Sequence, residues 1–402
     1  MIARGTLLSF GLWIVLLAFI RVAVIPPESC GIESEERIAE AAASAAAWMT
    51  RNQNADGTYV YLYLNKSDTV PIAYNEVRHA GVTMSLYQAA GRLSDREALA
   101  TADRALAWME EHLVRHNDWA ALAGSGRANR PALGASALMV VSLAERRLAT
   151  ADTQYDDLMR EVGRYLTALQ RDDGGFHIAW QIDVDAPDTV GRSRFYPGEA
   201  LWALALLHEA FPAEGWDSHA RDALHFVTTL RDDVEDVDFP PLADQWAAYG
   251  LAEMVEWGLT DQQIDYARKL AGRFGLLVRT ASQREGSWYG SLLRGEDARA
   301  GGVGTWAEGL AGLWRVAAQD ERLADIKDKT EERLHCVAGI LADRQFDAEE
   351  AADYGTPGLV EGAWFHEGET RMDDQQHAFS GITYALDALA EHQMREPEET
   401  LE

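Results

Sequence analysis

The chain has 402 residues, 47% of them hydrophobic and 25% charged, with a formal net charge of −29. That acidic balance excludes nonspecific nucleic-acid binding, because phosphates would be repelled. Two cysteines are too few for an iron–sulfur cluster, and no CxxC, CxxCH or HExxH motif occurs. No metal, haem or other cofactor is therefore expected.

In chain order, the first feature is an apolar run over residues 6–25 with one charge, Arg21, near its end. About twenty apolar residues are needed to cross a bilayer. The following Pro26-Pro27-Glu28-Ser29-Cys30 offers neither a small-residue cleavage site nor the small-residue run that precedes a lipidated cysteine. A retained transmembrane helix is thus favoured over a cleaved signal. Arg4 precedes the run and Glu28, Glu33, Glu35 and Glu36 follow it. The positive-inside rule then puts the N-terminus in the cytoplasm and the rest outside, anchored in an inner membrane and facing the periplasm of a bacterium. Arg21 can snorkel to the far interface. Residues 1–27 form the anchor, touching membrane lipid through 6–25. Residues 28–33 form a short linker, 34–392 one large globular unit, and 393–402 an acidic tail.

Within 34–392, six segments resemble one another: RHAGVTMSLYQAA from Arg78, PALGASALMVVSLAERR from Pro131, YPGEALWALALLHEA from Tyr196, ADQWAAYGLAEMVEW from Ala243, GTWAEGLAGLWRVAA from Gly304 and HAFSGITYALDALAEH from His377. Each opens on a polar or Pro/Gly-containing turn and continues through small and apolar residues. They recur every fifty to seventy residues or so, and self-similarity at that scale is the strongest fold signal a sequence carries. A second, more polar set lies between them, near 35–51, 94–115, 153–171, 217–231, 261–281 and 321–344. Here apolar residues follow i, i+3, i+4 spacing with charge opposite. The pattern is six helical hairpins closed into a ring, with the apolar set inside. The stretch 58–64, TYVYLYL, reads as a short hairpin or loop. Links from inner to outer helices are short. Those from outer to inner, 53–77, 116–130, 172–195, 282–303 and 345–376, are long, and only 232–242 is brief. Long links are usually functional, so a binding mouth belongs on the rim where the inner helices begin.

The chain resembles the six-hairpin α/α-toroid superfamily of glycosidases, polysaccharide lyases and sugar epimerases, and more loosely the terpenoid-cyclase toroids. Echoes of the toroid repeat, a Gln, a Gly and an aromatic after an outer helix, are QNADGTY at Gln53, QRDDGGF at Gln170, QREGSW at Gln283 and a degenerate EGAWF at Glu361. The resemblance implies an all-α fold, an (α/α)6 toroid, here preceded by one N-terminal transmembrane helix. It also implies activity on a saccharide. The acidic signature of the cyclases is absent, since DVDAPD at 183–188 has the wrong spacing.

The rim concentrates aromatic, acidic and basic residues, the mixture a carbohydrate site needs. Glycoside hydrolysis further requires two carboxyl groups flanking the scissile bond, one held protonated. Glu199 and Glu308 each lie one turn into an apolar helix, where desolvation would raise the pKa. They are the candidate acids, and Asp244 is the candidate base. Each could instead simply complement the helix N-terminus. Arg78, Arg192 and Arg194 could grip a carboxylate, and six inner-helix N-termini add partial positive charge. Together they favour an acidic saccharide such as a uronate. Tyr74, Tyr196, His79 and His377 could move a proton at the carbon beside that carboxylate, as lyases and epimerases require. Trp288, Trp306 and Trp364 are candidate sugar platforms.

Cys30 and Cys336 allow one disulfide, with a buried Cys336 and a free Cys30 as the other reading. The same features fit a noncatalytic accessory or scaffold subunit of an inner-membrane protein complex, for example a bioenergetic one. That reading expects the rim carboxylates to be tied up in salt bridges, or the mouth to be plugged by 172–195 or 345–376.

Overall fold

The structure, a computed structural model, describes residues 2–24, 28–30, 33–124, 126–237, 239–285 and 289–395. After α1 (Ile2–Phe19) and a π turn (Ile20–Val24), the outer and inner helices alternate as α2 (Glu35–Arg51) and α3 (Glu76–Arg92), α4 (Arg96–Glu111) and α5 (Leu133–Thr150), α6 (Asp156–Ala168) and α7 (Tyr196–Ala210). The fourth hairpin has α8 (Trp216–His225), a π turn (Phe226–Leu230) and α9 (Arg231–Val234) outside, with α10 (Gln245–Met254) inside. The fifth is α11 (Asp261–Glu285), a short α12 (Gly290–Arg294) and inner α13 (Ala300–Gln319). The sixth is α14 (Ala324–Arg344), a short α15 (Ala348–Ala351) and inner α16 (Met372–Arg395).

The inner helices form a closed ring: α3 packs on α5, α5 on α7, α7 on α10, α10 on α13, α13 on α16, and α16 back on α3. Burial explains the two sequence classes. From Pro197 to Leu207 every residue of α7 is buried, whereas α2 buries a stripe of Ile38, Ala41, Ala42, Ala45, Ala46, Trp48 and Met49. Small residues let inner backbones touch. Gly304 lies on the main chain of His377, and Gly309 faces the Phe274 ring from α11.

The Gln–Gly echoes have a structural role. Gln53 Nε2 donates to Thr101 O in α4 (2.9 Å), and Gln170 Nε2 donates to His219 O in α8 (2.9 Å). Gln345 Nε2 donates to Ala41 O in α2 (3.0 Å). Each glutamine ends one outer helix and holds the next. Gly57 (φ +85°) and Gly174 (φ +82°) follow with their Cα atoms against the carbonyls of Arg104 and Asp222, so the turn requires both a left-handed backbone and no side chain.

Among the described residues, four of the six links carry short antiparallel strands. β2 (Leu113–His116) pairs with β3 (Trp119–Leu122), and β4 (Trp180–Gln181) with β5 (Ala186–Pro187). The stretch 58–64 makes local antiparallel bridges, Tyr59 with Gln53 and Leu64 with Thr69, and a distant pairing as well. Its β1 (Leu62–Leu64) pairs with β6 (Glu369–Arg371) in the last link, Tyr63 opposite Thr370. Ring closure brings the first and last links side by side, and the strand seals that seam.

Among the described residues no helix is long and apolar enough to cross a membrane, so the expected span over 6–25 has no support here. From Ser9 to Phe19 the side chains of α1 are exposed, Phe10, Leu12, Trp13 and Val15 among them. Past it, Tyr289 Oη donates to Val22 O, Ser29 N donates to Ser282 O (3.2 Å), and Glu28 pairs with Arg279 (2.9 Å) and Arg333. Cys30 and Cys336 form a disulfide that fastens this segment to α14.

Candidate active site

A cavity of about 850 Å³ opens where the inner helices begin. Link 172–195 contributes only Arg194 and Phe195 to its lining, so it does not plug the mouth. Of the sequence candidates, the cavity gathers Arg78, Arg194, Tyr196, Glu199, Trp306 and His377.

Glu199 is central. It lines the cavity from the first turn of α7 yet is buried, and its Oε2 has no hydrogen-bond partner. Burial, and secondly the nearby Asp244, push its pKa from 4.5 up to about 8. Gly134 on α5 makes the room, since a Cβ there would collide with Glu199 Oε2 and the Tyr196 ring. Tyr196 is itself pushed up to about 12, chiefly by burial, and stays a neutral phenol.

Across the ring, α16 supplies His377, whose Nδ1 bonds Glu308 Oε2 (2.7 Å). Gln376 Nε2 also donates to Glu308 (3.2 Å). Glu308 is fully buried and does not line the cavity, so its contact with the cavity runs through His377. Burial raises the Glu308 carboxyl above its usual range. Burial also opposes charge on His377, but the Glu308 carboxylate and its hydrogen bond outweigh this and raise the imidazole pKa. In ring order α7 is third and α16 sixth, so Glu199 and the His377–Glu308 dyad stand on opposite walls.

Several expectations are corrected. Asp244 is not an available base. It caps α10 by accepting from Ala247 N (3.1 Å) and is locked to Arg231 Nη1 (2.5 Å), both side chains being essentially inaccessible. His79 is fully buried behind the cavity. It accepts from Tyr74 Oη at Nδ1 (2.6 Å) and donates from Nε2 to Ala105 O (3.0 Å), and burial holds its pKa near 4. Tyr74, which also accepts from Tyr59 N, is part of the same structural network. Arg192 turns back to the carbonyls of Thr189 and Gly191 and does not line the cavity. Trp364 is core, 1% exposed, with Nε1 donating to Leu341 O (2.8 Å). Trp288 lies outside the described residues.

The cavity also holds further polar residues, among them Gln245 and Asp373 of the rim and Arg273, which the sequence did not single out. Gln245, Arg273 and Asp373 line it, and their buried Oε1, Nε and Oδ1 atoms, like Glu199 Oε2, have no hydrogen-bond partner. Buried polar atoms are rarely left unsatisfied, and these four belong to residues lining one cavity. Asp373 Oδ2 meanwhile holds Arg78 (3.0 Å). Arg299 pairs with Asp374 (3.1 Å) and Glu369 (2.9 Å), bracing α13 to α16. Arg194 and Arg273 have no ion-pair partner among the described residues. Arg273 carried no sequence signal, because it sits on an outer helix where charge is ordinary.

These features define a six-hairpin α/α toroid with a polar cavity at the inner-helix N-termini. No protein-family model matches the sequence, and no curated protein matches it. Solved structures do match. Cellobiose 2-epimerase from Bacillus thermoamylovorans aligns at TM-score 0.60 and 11% identity, over 87% of this chain and 98% of that one. An unsaturated glucuronyl hydrolase specific for heparin aligns at 0.60 and 12%, over 91% and 99%. A family 76 glycoside hydrolase from Bacteroides thetaiotaomicron aligns at 0.59 and 12%, over 88% and 78%. The chain therefore has the (α/α)6 toroid fold that these carbohydrate-acting proteins share.

Proposed function

We propose that this protein is an enzyme acting on an acidic saccharide by proton transfer between opposite walls of the ring, as in a hydrolase, lyase or epimerase. One observation carries the reading: Glu199 is a buried, unpartnered carboxyl with a pKa of about 8 facing an open cavity. It is the proton donor near neutrality, because a carboxyl raised that far still holds its proton there. His377, oriented by Glu308, is the facing base. Tyr196 and Gln245 hold hydroxyls, and Trp306 offers an apolar platform. Arg194 and Arg273, lining the cavity without carboxylate partners, support an anionic sugar. The solved structures of this fold named for epimerases and for a glucuronyl hydrolase point the same way.

The noncatalytic accessory reading expects spent carboxylates. Asp244 fits it, but Glu199 and the unplugged mouth do not. The test is to incubate wild type and Glu199→Gln with uronate-containing and neutral oligosaccharides and follow products by NMR. Turnover of the acidic set by wild type alone is expected. No turnover of any saccharide, with no change in tryptophan fluorescence on mixing, would restore the accessory role.

The disulfide supports a location outside the cytoplasm, where such bonds persist. An inner-membrane anchor with a periplasmic toroid is the matching proposal, resting on the apolar sequence of 6–25. Protease accessibility of the toroid from the periplasmic side only is expected, and cleavage from the cytoplasmic side alone would reverse it.

A further inference from the structure

The cavity has two chemically distinct sides. The acid, the dyad and the arginine–carboxylate pairs form its floor, drawn from both walls of the ring. Nearer the mouth, above the start of α10, lies link 232–242, the shortest of the six outer-to-inner links. It presents Val237, Phe239, Pro240, Pro241 and Leu242, with Leu277 of α11 beside them. Phe239 is 92% exposed although it lines the cavity, and Phe195, before the neighbouring inner helix α7, is 49% exposed. A ligand made only of hydroxyls and carboxylates would leave this wall facing water. An aromatic ring so exposed costs about as much as its unburied apolar area, and exposed apolar surface at a cavity mouth marks a binding surface.

The N-terminal segment is fastened next to the same mouth. Tyr289, in the link before α12, holds Val22, and Ser282, at the rim end of α11, holds Ser29. Past the first of these contacts α12 exposes Leu292 (84%). The all-round apolar α1 thus joins the toroid at the rim that bears the apolar wall, not at the far face.

We infer that the cavity takes an amphiphilic acidic saccharide, with the sugar on the Glu199–His377 floor and an alkyl or other apolar aglycone lying along the 237–242 wall toward the mouth. The inference rests on the saccharide reading above and deepens it. The low fourth link is the exit for the aglycone, and Phe239 covers it once it is bound.

The test separates this inference from that reading by measuring binding and turnover independently. Binding of methyl and octyl β-glucuronide, each below its micellar concentration, is titrated into the Glu199→Gln protein by calorimetry. The octyl compound is expected to bind roughly tenfold tighter or more, the gain from covering a few methylenes. Phe239→Ser and, separately, Leu277→Ser should pull the octyl-to-methyl ratio toward one. Equal Kd values for the two glycosides in the parent protein overturn the aglycone site, as does a ratio that both variants leave unchanged. Absence of binding by either glycoside also overturns it. Failure of the saccharide reading would show separately, as absence of turnover of any oligosaccharide by wild type.

Discussion

Glu199 and Asp244 begin neighbouring inner helices, yet only one is free to do chemistry. Asp244 accepts from Ala247 N and is clamped by Arg231, which also donates to Tyr266 Oη (2.9 Å). Glu199, one turn into α7, meets no cation. Its neighbours are the Tyr196 ring and the space left by Gly134. The outer helix decides the difference. In the fourth hairpin a π turn over Phe226–Leu230 interrupts the outer helix and Arg231 is delivered inward to Asp244. No described arginine is paired with Glu199. A carboxylate held in a buried pair is part of the framework, whereas one left alone in a dry site is an acid.

The comparison can be broken most directly by Glu199→Gln. Turnover should fall by about 10²–10⁴-fold, the usual worth of a general acid, with thermal unfolding unchanged or raised. A variant that unfolds early but turns over normally when folded would reverse the two roles.

Asp244→Ala should do the opposite. It leaves Arg231 buried without its counter-charge and α10 without its cap, at a cost of about 3–5 kcal/mol. Denaturant unfolding checks this, and a loss under about 1 kcal/mol would mean the pair contributes little.

pH sharpens the same contrast. The folded pKa of Glu199, about 8, lies above its ordinary 4.5, so folding takes up a proton between these values. Its contribution to stability is in place below about 4.5 and is lost as pH rises through about 8. Wild type should therefore lose stability relative to Glu199→Gln across that window, and turnover should decline above its upper end. Parallel unfolding curves for the two proteins would count against a raised pKa.

The smallest effect concerns the ring itself. Gly309→Leu would drive a side chain into the Phe274 ring and should cost about 1–3 kcal/mol or more by overpacking. An unchanged melting temperature would mean that α13 and α11 are less closely packed than the structure has them.

Much of the fold is legible in the sequence because its signals are local. The six inner segments, their glycines and alanines, and the Gln–Gly turns at Gln53 and Gln170 each declare themselves within a few residues. So does the rim, through link lengths. The cavity is legible only in part. Glu199, Tyr196, Arg78, Arg194, Trp306 and His377 announced themselves by lying at inner-helix starts or in the links before them. His79 lies in the same kind of position but is closed off by the Ala105 carbonyl of α4 and by the tilted Trp108 ring against it. Arg273 does the reverse, reaching the cavity from an outer helix where charge carries no signal.

The sequence by itself determines the architecture, because the apolar period of each helix and the small-residue faces admit one way of burying twelve helices. It also determines on which rim a site can form. Only the tertiary structure decides which carboxylate is free, that Cys30 meets Cys336, and that β1 finds β6 across the seam. Each of those depends on a partner far away in sequence. Whether a buried charge has such a partner settles its pKa, and neither spacing nor composition encodes that.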